Sequence, residues 1–246
     1  MKQLLIINPN TSTSVTQLLV KHAKQLVPSD VEVQGVTARF GAPYIIDEAS
    51  FAVASHATLD AWAAARSRAA SNATSILIGC FGDPGLIALA QSSPAPVTGL
   101  ASAAFEVAAK HGRFAIVTGG ERWKPMLERL AHALGFSDRL AGIVTVAPNG
   151  GQLAANPELA KKLLAEACAR AATDFKADAV ILGGAGLAGI AAQIQSHVNV
   201  PLIDSVQAGI EIALKLMKVA PKIASAGFEV QFAGVSEEMT KLNKNA

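Results

Sequence analysis

Short apolar runs alternate along the chain with longer segments in which apolar residues recur at helical spacing. The short runs are typical of buried strands and the longer segments of amphipathic helices. The predicted strands occupy residues 4–7, 31–36, 75–79, 94–99, 114–118, 143–146, 179–182 and 201–204. The predicted helices occupy residues 14–27, 49–70, 102–110, 121–134 and 157–175, and others end near residues 93 and 219. This alternation predicts an α/β protein with mainly parallel sheets and short crossovers.

One stretch of the chain occurs twice. Residues 75–86 are an apolar run followed by a glycine-rich turn, and residues 179–190 repeat it with three glycines in register. In this alignment Cys80 falls on Gly184, and Pro96 falls on Pro201 after one inserted residue. Such self-similarity predicts two related halves. We expect two pseudo-symmetric, flavodoxin-like lobes, the first formed by residues 1–98 plus 205–246 and the second by residues 99–204. The site is expected in the cleft between the carboxyl ends of their strands.

Cys80 stands where the first apolar run ends and the glycine turn begins. Open α/β sheets bind their ligands at the carboxyl ends of strands. A nearby helix N-terminus favours the thiolate form of a cysteine. The alternative is a small buried side chain, because free cysteine is among the most buried residue types. The second cysteine, Cys168, lies in the middle of a predicted helix and is interpreted as packing.

Composition narrows the class of protein. The 246 residues are 51% hydrophobic and 16% charged, which indicates a globular chain with a sizeable core. A net charge of +2 gives no reason to expect nucleic acid or an anionic membrane as partner. Two cysteines without a CxxC motif, and an N-terminal apolar run too short for a signal peptide, favour the cytoplasm. The scattered histidines predict no metal site. We expect a homo-oligomer that acts on a small-molecule substrate.

Four motifs carry a resemblance to a known family: Ile7-Asn-Pro-Asn-Thr-Ser12, Gly79-Cys-Phe-Gly-Asp-Pro-Gly85, Ile116-Val-Thr-Gly-Gly-Glu-Arg-Trp123 and Pro201-Leu-Ile-Asp204. Over roughly residues 1–220 the chain resembles the aspartate/glutamate racemase superfamily, and within it the hydantoin/allantoin racemase group. The resemblance implies an enzyme without a cofactor. One cysteine removes an acidic proton next to a carbonyl, and a second cysteine returns a proton from the other face.

The resemblance also implies roles for individual residues. Cys80 would be the first acid/base cysteine, and Asn10 would bind an amide or carboxylate of the substrate. The remaining substrate-binding residues would be Thr11, Phe81, Gly82, Thr118, Gly119, Gly184 and Ala185, with backbone amides near Phe81 and Ala185 binding oxygen atoms. Two positions depart from the family pattern: Gly184 stands in place of the second cysteine, and Gly119 in place of a second threonine. If φ at Gly184 is negative, a cysteine there is expected to raise racemisation.

The preferred function is therefore a racemase or isomerase that transfers protons at an acidic carbon of a small hydantoin-like or amino-acid-like compound. A single thiol also resembles the arylmalonate decarboxylase branch, in which one cysteine protonates a carbanion after loss of carbon dioxide. A non-catalytic protein that binds a small carboxylate or imide is the third alternative.

Plainer interpretations exist for several of these residues. Residues 8–12 are typical of a turn and helix cap, Asp83-Pro84 of a helix start, and Thr118 of a helix cap. The residues 184–189 form a GxGxxG motif followed by Asp204, which is a dinucleotide-binding pattern. Residues 40–48 read as a loop that covers a pocket.

Overall fold

In the computed structural model, which describes residues 2–67, 73–147, 150–220 and 230–242, the chain forms two four-stranded sheets. Every strand pair is parallel. The first sheet contains β1 (Lys2–Asn8), β2 (Val31–Thr37), β3 (Ser75–Ile78) and β4 (Val97–Gly99). The second contains β5 (Phe114–Gly119), β6 (Leu140–Val146), β7 (Ala179–Gly183) and β8 (Leu202–Asp204). The predicted α/β class with two parallel sheets is confirmed.

The two sheets have the same topology. The strand order is β2-β1-β3-β4 in the first and β6-β5-β7-β8 in the second, so each strand corresponds to the one four places later. The order 2-1-3-4 is that of flavodoxin-like folds. The central strands are buried over their whole length because helices cover both faces, which is why their sequences read as continuous apolar runs.

Helices fill the connections between strands. They are α1 (Thr13–Leu26), α2 (Glu48–Arg66), α3 (Leu86–Ser92), α4 (Leu100–Ala108), α5 (Trp123–Ala133), α6 (Gly150–Ala155), α7 (Pro157–Asp174), α8 (Ile190–Ile194), α9 (Ser205–Leu216) and α10 (Glu237–Leu242). None of the helices within the described ranges is long and apolar enough to cross a membrane.

Three sequence predictions differ from these bounds. The helix predicted over residues 49–70 ends at Arg66, and residues 68–72 lie outside the described part of the chain. The sequence Pro148-Asn-Gly-Gly-Gln152 is typical of a loop, but helix α6 begins within it at Gly150, and residues 148–149 are not described. Residues 240–246 are expected to be loose as a terminal stretch, but α10 continues as far as Leu242, and residues 243–246 lie outside the described part of the chain.

One hydrophobic core joins the two sheets. Helices α4 and α9 pack against each other, and each also contacts strands of both sheets. The Phe105 ring of α4 stacks on Phe114 of the second sheet at 5.5 Å between centroids and meets Phe81 of the first half edge-on at 6.4 Å. Near the chain's end, α10 packs on α2 and buries Met239. The predicted lobe boundaries, residues 1–98 plus 205–246 and residues 99–204, stay a prediction.

Candidate active site

A cavity of about 340 Å³ lies between the carboxyl ends of the two sheets. It is lined from the first half by loops after β1, β2 and β3 and by helix α1, and from the second half by the turns after β5 and β7. The side chains and glycines that line it are Asn10, Ser14, Val15, Leu18, Tyr44, Ile45, Ile46, Gly79, Cys80, Phe81, Thr118, Gly119, Trp123, Gly183, Gly184, Ala185, Gly186 and Leu187.

The cavity brings together most of the residues that the sequence singles out. Seven line it: Asn10, Cys80, Phe81, Thr118, Gly119, Gly184 and Ala185. Thr11 and Gly82 do not. Thr11 is tied to the covering loop, because its amide donates to the Ala42 carbonyl at 3.1 Å. Gly82 is covered by the Trp123 ring, and its φ of 149° favours glycine, so it is a packing position.

The Cys80 thiol is buried and held in its protonated form. Removal from solvent raises the pKa of the thiol well above its ordinary value, and the nearby Asp83 charge raises it further. The expected thiolate-favouring helix is not adjacent, because α3 begins only at Leu86 with Gly85 as its cap. The thiol pKa is therefore shifted in the direction opposite to the one expected from a helix N-terminus.

Asp83 ties the cysteine turn to helix α4. Its carboxylate accepts hydrogen bonds from the backbone amides of Ala101 at 2.9 Å and Ser102 at 2.7 Å. Asp83 therefore caps α4 instead of starting α3, which corrects the helix-start interpretation of Asp83-Pro84. Burial raises the pKa of this carboxyl to about 6, although the amide hydrogen bonds act in the opposite direction. The carboxylate presses against Gly99, which leaves no room for a side chain there.

The second half also joins its glycine turn to the following helix through a carboxylate. There the carboxylate comes from the end of β8, whereas in the first half it comes from the glycine turn. Asp204, at the end of β8, accepts from the amides of Gly189 at 2.7 Å, Val206 at 2.9 Å and Gln207 at 3.1 Å. The carboxylate thus caps α9 and fixes the glycine turn. Because both of its oxygens are engaged by backbone donors, it is not placed to bind a ribose, which argues against the dinucleotide interpretation of the GxGxxG motif.

Asn10 is oriented by its own loop. Its side-chain oxygen accepts from Asn8 Nδ2 and from the Ser12 amide, both at 2.9 Å. With Oδ1 used twice, the Nδ2 amide group is the part of Asn10 left to act as a donor toward the cavity. The turn interpretation of residues 8–12 is therefore correct for the backbone. The helix-cap interpretation is wrong for the Ser12 side chain, which makes no capping bond to α1.

The wall from the second half consists largely of glycine backbone. The Thr118 hydroxyl donates to the Gly183 carbonyl at 2.8 Å, so it links β5 to β7 and does not cap a helix. Gly183 lies against the Phe81 ring, so the two glycine turns meet directly. Gly184 has φ 146° and ψ 131°, and its amide donates to the Ser205 hydroxyl at 3.1 Å. The condition for a simple cysteine replacement, a negative φ, is not met.

The covering loop bridges the two halves. Residues 44–46 line the cavity, and helix α2 follows with Asp47 as its cap. Glu48 binds Arg129 of α5 through two hydrogen bonds, at 2.6 and 2.9 Å. Beside this pair, the Phe51 ring meets Trp123 edge-on at 6.5 Å between centroids. The loop was predicted from sequence, but its partners in the second half were not, because they depend on the packing of the lobes.

Charge is missing from this cavity. None of the described residues that line it carries a charged side chain, and Cys80 and Tyr44 are the titratable ones among them. Among the residues the structure describes, no group of three or more His, Cys, Asp or Glu is placed to hold a metal ion. Sequence reasoning missed Tyr44, Ser14 and Leu187; for Tyr44 the signal was its position inside the predicted covering loop.

A buried thiol in a cavity between two parallel sheets places this chain in a class of two-lobed α/β proteins. Comparisons with known proteins identify the family within that class. The family described as Asp/Glu/Hydantoin racemase matches residues 4–213. The hydantoin racemase of Paenarthrobacter aurescens is 29% identical over 227 residues, covering 91% of this chain and 94% of the relative. Allantoin racemase from Klebsiella pneumoniae has a TM-score of 0.87 at 28% identity, covering 99% of both chains.

The chain belongs to the Asp/Glu/Hydantoin racemase family. The relatives named as hydantoin and allantoin racemases are isomerases, which confirms the predicted enzyme class. Arylmalonate decarboxylase has a TM-score of 0.60 at 17% identity, covering 89% of this chain and 94% of that chain, and shows a shared fold alone.

Proposed function

We propose that this protein is a cofactor-independent racemase of small uncharged rings of the hydantoin type, in which an acidic C–H stands next to a carbonyl. The observation that carries the proposal is the interlobe cavity itself, which presents one protonated thiol and no charged side chain among its described lining residues. Membership of the racemase family supports the reaction class, and the hydantoin and allantoin relatives support the ring chemistry.

The lack of charged side chains among the described lining residues supports one of the two predicted substrate types. A free amino acid carries a carboxylate and an ammonium group, and burying either without a partner of opposite charge is costly. A hydantoin ring is neutral and presents carbonyl oxygens and N–H groups that neutral donors and acceptors satisfy. Apolar side chains, among them Val15, Leu18 and Leu187, suit an alkyl or aromatic substituent on the ring.

Each residue of the site has its own role in the proposed reaction. The Asn10 amide donates to a ring carbonyl, which stabilises the negative charge that forms on that oxygen when the neighbouring proton leaves. The peptide groups at Phe81 and Ala185 border the same cavity and are the proposed further donors. Cys80 transfers the proton at the reacting carbon on its side of the ring.

Hydrogen–deuterium exchange tests this proposal. The protein is incubated in D₂O with single enantiomers of 5-isopropylhydantoin, 5-benzylhydantoin and allantoin, and with L-aspartate and L-glutamate. We expect exchange and loss of optical activity with at least one ring compound and none with the amino acids. Cys80→Ser should slow racemisation by about 10²-fold or more, since a general acid/base is removed. Turnover of the amino acids alone would contradict the proposal.

A second function is favoured by one observation: Cys80 is the single cysteine among the described residues that line the cavity. One thiol on one face is sufficient to protonate a carbanion formed by loss of carbon dioxide. Phenylmalonate is the matching probe, with carbon dioxide release and the optical purity of the product as readouts. Its carboxylates have no charged partner among the described lining residues, which is why this function stands second. Release of carbon dioxide together with an absence of hydantoin exchange would replace the racemase proposal with a decarboxylase.

A further inference from the structure

Racemisation requires proton transfer on both faces of the reacting carbon, and Cys80 supplies one face. Position 184, which aligns with Cys80 in the repeat, holds a glycine and offers no acid or base. The aliphatic hydroxyls in the cavity are weak in this role, and the Thr118 hydrogen is already donated to the Gly183 carbonyl. Of the described residues that line the cavity, Tyr44 is the titratable one that remains.

Tyr44, Asn10 and Cys80 reach the cavity from three separate elements. Cys80 follows β3 directly, Asn10 follows β1, and Tyr44 lies in the covering loop between β2 and α2. In a racemase that binds its ring through the Asn10 amide, two acid/base groups from separate elements are what the two faces of one carbon require.

The loop that carries Tyr44 is anchored on both sides of it. On one side the Ala42 carbonyl accepts from the Thr11 amide at 3.1 Å. On the other side Ile45 is buried, and the Ser50 hydroxyl accepts from the amide of Ile46 at 3.0 Å. Tyr44 itself lines the cavity and is 42% exposed, so solvent reaches its side chain. A fixed backbone with a solvent-linked phenol suits repeated proton transfer.

We propose that Tyr44 is the second proton-transfer residue of this site, acting on the face of the substrate opposite Cys80; the inference rests on the proposed racemase function. From one enantiomer, the Tyr44 oxygen releases its own proton to solvent and takes the ring proton, the C–H electron pair moves onto the adjacent carbonyl oxygen, and the Cys80 thiol donates its proton to the opposite face. From the other enantiomer, the Cys80 sulfur releases its proton to solvent and takes the ring proton, and the Tyr44 hydroxyl donates one. In either direction the carbon loses one proton and gains one, and solvent takes one proton and returns one to the donating group, so both side chains end as they began.

Tyr44→Phe tests the assignment because it removes one oxygen atom and preserves the ring. The wild-type protein and the variant are compared in D₂O on the two separate enantiomers of 5-isopropylhydantoin, with chiral chromatography for racemisation and proton NMR for exchange. We expect racemisation to fall by about 10²-fold or more, while one enantiomer still exchanges its C–H with retention through Cys80. Cys80→Ser should retain exchange of the other enantiomer only.

Ile46→Val is the matched control, because it disturbs the same loop and leaves the phenol in place. This variant should change the rates of exchange and of racemisation by the same factor, and by the same factor for both enantiomers. If Tyr44→Phe racemises at the wild-type rate, or if it loses exchange of both enantiomers to the same extent, Tyr44 is not the second proton-transfer residue. Absence of exchange with wild-type protein on every ring compound overturns the proposed function and this inference with it.

Discussion

At the residue scale, the reactivity of Cys80 depends first on its burial and second on its buried neighbour Asp83. Burial and the Asp83 charge both raise the thiol pKa, so Asp83→Asn should lower it by removing the second contribution. We expect alkylation of Cys80 by iodoacetamide at pH 8 to accelerate between about twofold and tenfold, which corresponds to at most about one pKa unit. Mass spectrometry of the Cys80 peptide across a pH series measures the shift and separates it from Cys168.

Asp204→Asn is the control for this substitution. It removes the corresponding capping carboxylate from the second half, where it binds backbone amides and not the cysteine turn. Its effect on folding stability should resemble that of Asp83→Asn, whereas the alkylation profile of Cys80 should stay at the wild-type position. A profile that does not move in Asp83→Asn would show that burial alone sets the thiol pKa.

The backbone at Gly184 shows why a cysteine is not easily introduced there. A cysteine Cβ at this position lies 3.3 Å from two Leu187 side-chain atoms, and φ is 146°. Backbone strain of this kind costs on the order of 1–3 kcal/mol. We therefore expect Gly184→Cys to lower the melting temperature without raising racemisation.

Gly135→Cys separates the two causes of that loss. Gly135 has φ 77°, and a Cβ at this position would have no neighbouring atom within 4 Å. Its replacement by cysteine therefore measures the cost of backbone strain without a steric contact. The melting temperature of Gly184→Cys should fall at least as far as that of Gly135→Cys. A tenfold gain of racemisation in Gly184→Cys would refute the expectation.

At the scale of elements, the contact between α2 and α5 holds the covering loop over the cavity. Arg129 binds Glu48 with two hydrogen bonds, and its guanidinium also lies over the Phe51 ring at 5.8 Å. Both charged side chains are more than half exposed, so the pair contributes little to stability. Arg129→Gln should leave the melting temperature nearly unchanged but raise KM several-fold, because the loop that lines the cavity loses its contact with the second half.

Lys161→Gln provides the comparison for Arg129→Gln. Lys161 binds Glu158 at 2.8 Å within α7, and neither residue lines the cavity. Steady-state kinetics on a ring compound that the wild-type protein racemises should show an unchanged KM for this variant. Equal effects of the two substitutions would mean that the α2–α5 contact has no role in substrate binding.

The sequence predicts the elements well because their signal is local. Eight apolar runs bounded by turn residues correspond to the eight strands of the described chain, and the repeat correctly anticipates that the two sheets share one topology. The capping of α4 by Asp83 could not be predicted, because it joins two parts of the chain that meet only after folding. The same holds for the backbone of Gly184: the alignment equates it with Cys80, yet Gly184 has a positive φ and Cys80 does not.

At the scale of the whole molecule, the two halves share their interior. The core between the sheets includes Leu4 and Leu77 from the first half and Ile116 and Ile181 from the second, with Phe105 of α4 between them. All five side chains are fully buried. A continuous core fixes the two walls of the cavity relative to each other, so the site depends on the integrity of both halves.

Because the core is continuous, the two halves should unfold together. The chain contains two tryptophans, Trp62 in α2 and Trp123 in α5, so each half has its own fluorescent probe. In Trp123→Phe the fluorescence reports on the first half. In Trp62→Phe it reports on α5 of the second half, where Trp123 meets Phe51 and Gly82 of the first. Within each variant, we expect the fluorescence transition in urea to coincide with the loss of helical circular dichroism, which senses both halves.

Phe105→Ala extends this test to the interface between the halves. Deleting a large buried aromatic side chain lowers the free energy of unfolding by about 3–5 kcal/mol. The void left by the Phe105 ring lies between Phe114 of the second sheet and Phe81 of the first half. In a cooperative molecule the substitution lowers the urea midpoint of both tryptophan probes by the same amount. If the two urea midpoints separate, so that one tryptophan signal is lost before the helical signal, the halves unfold independently. The interlobe cavity could then lose one wall while the other remains folded.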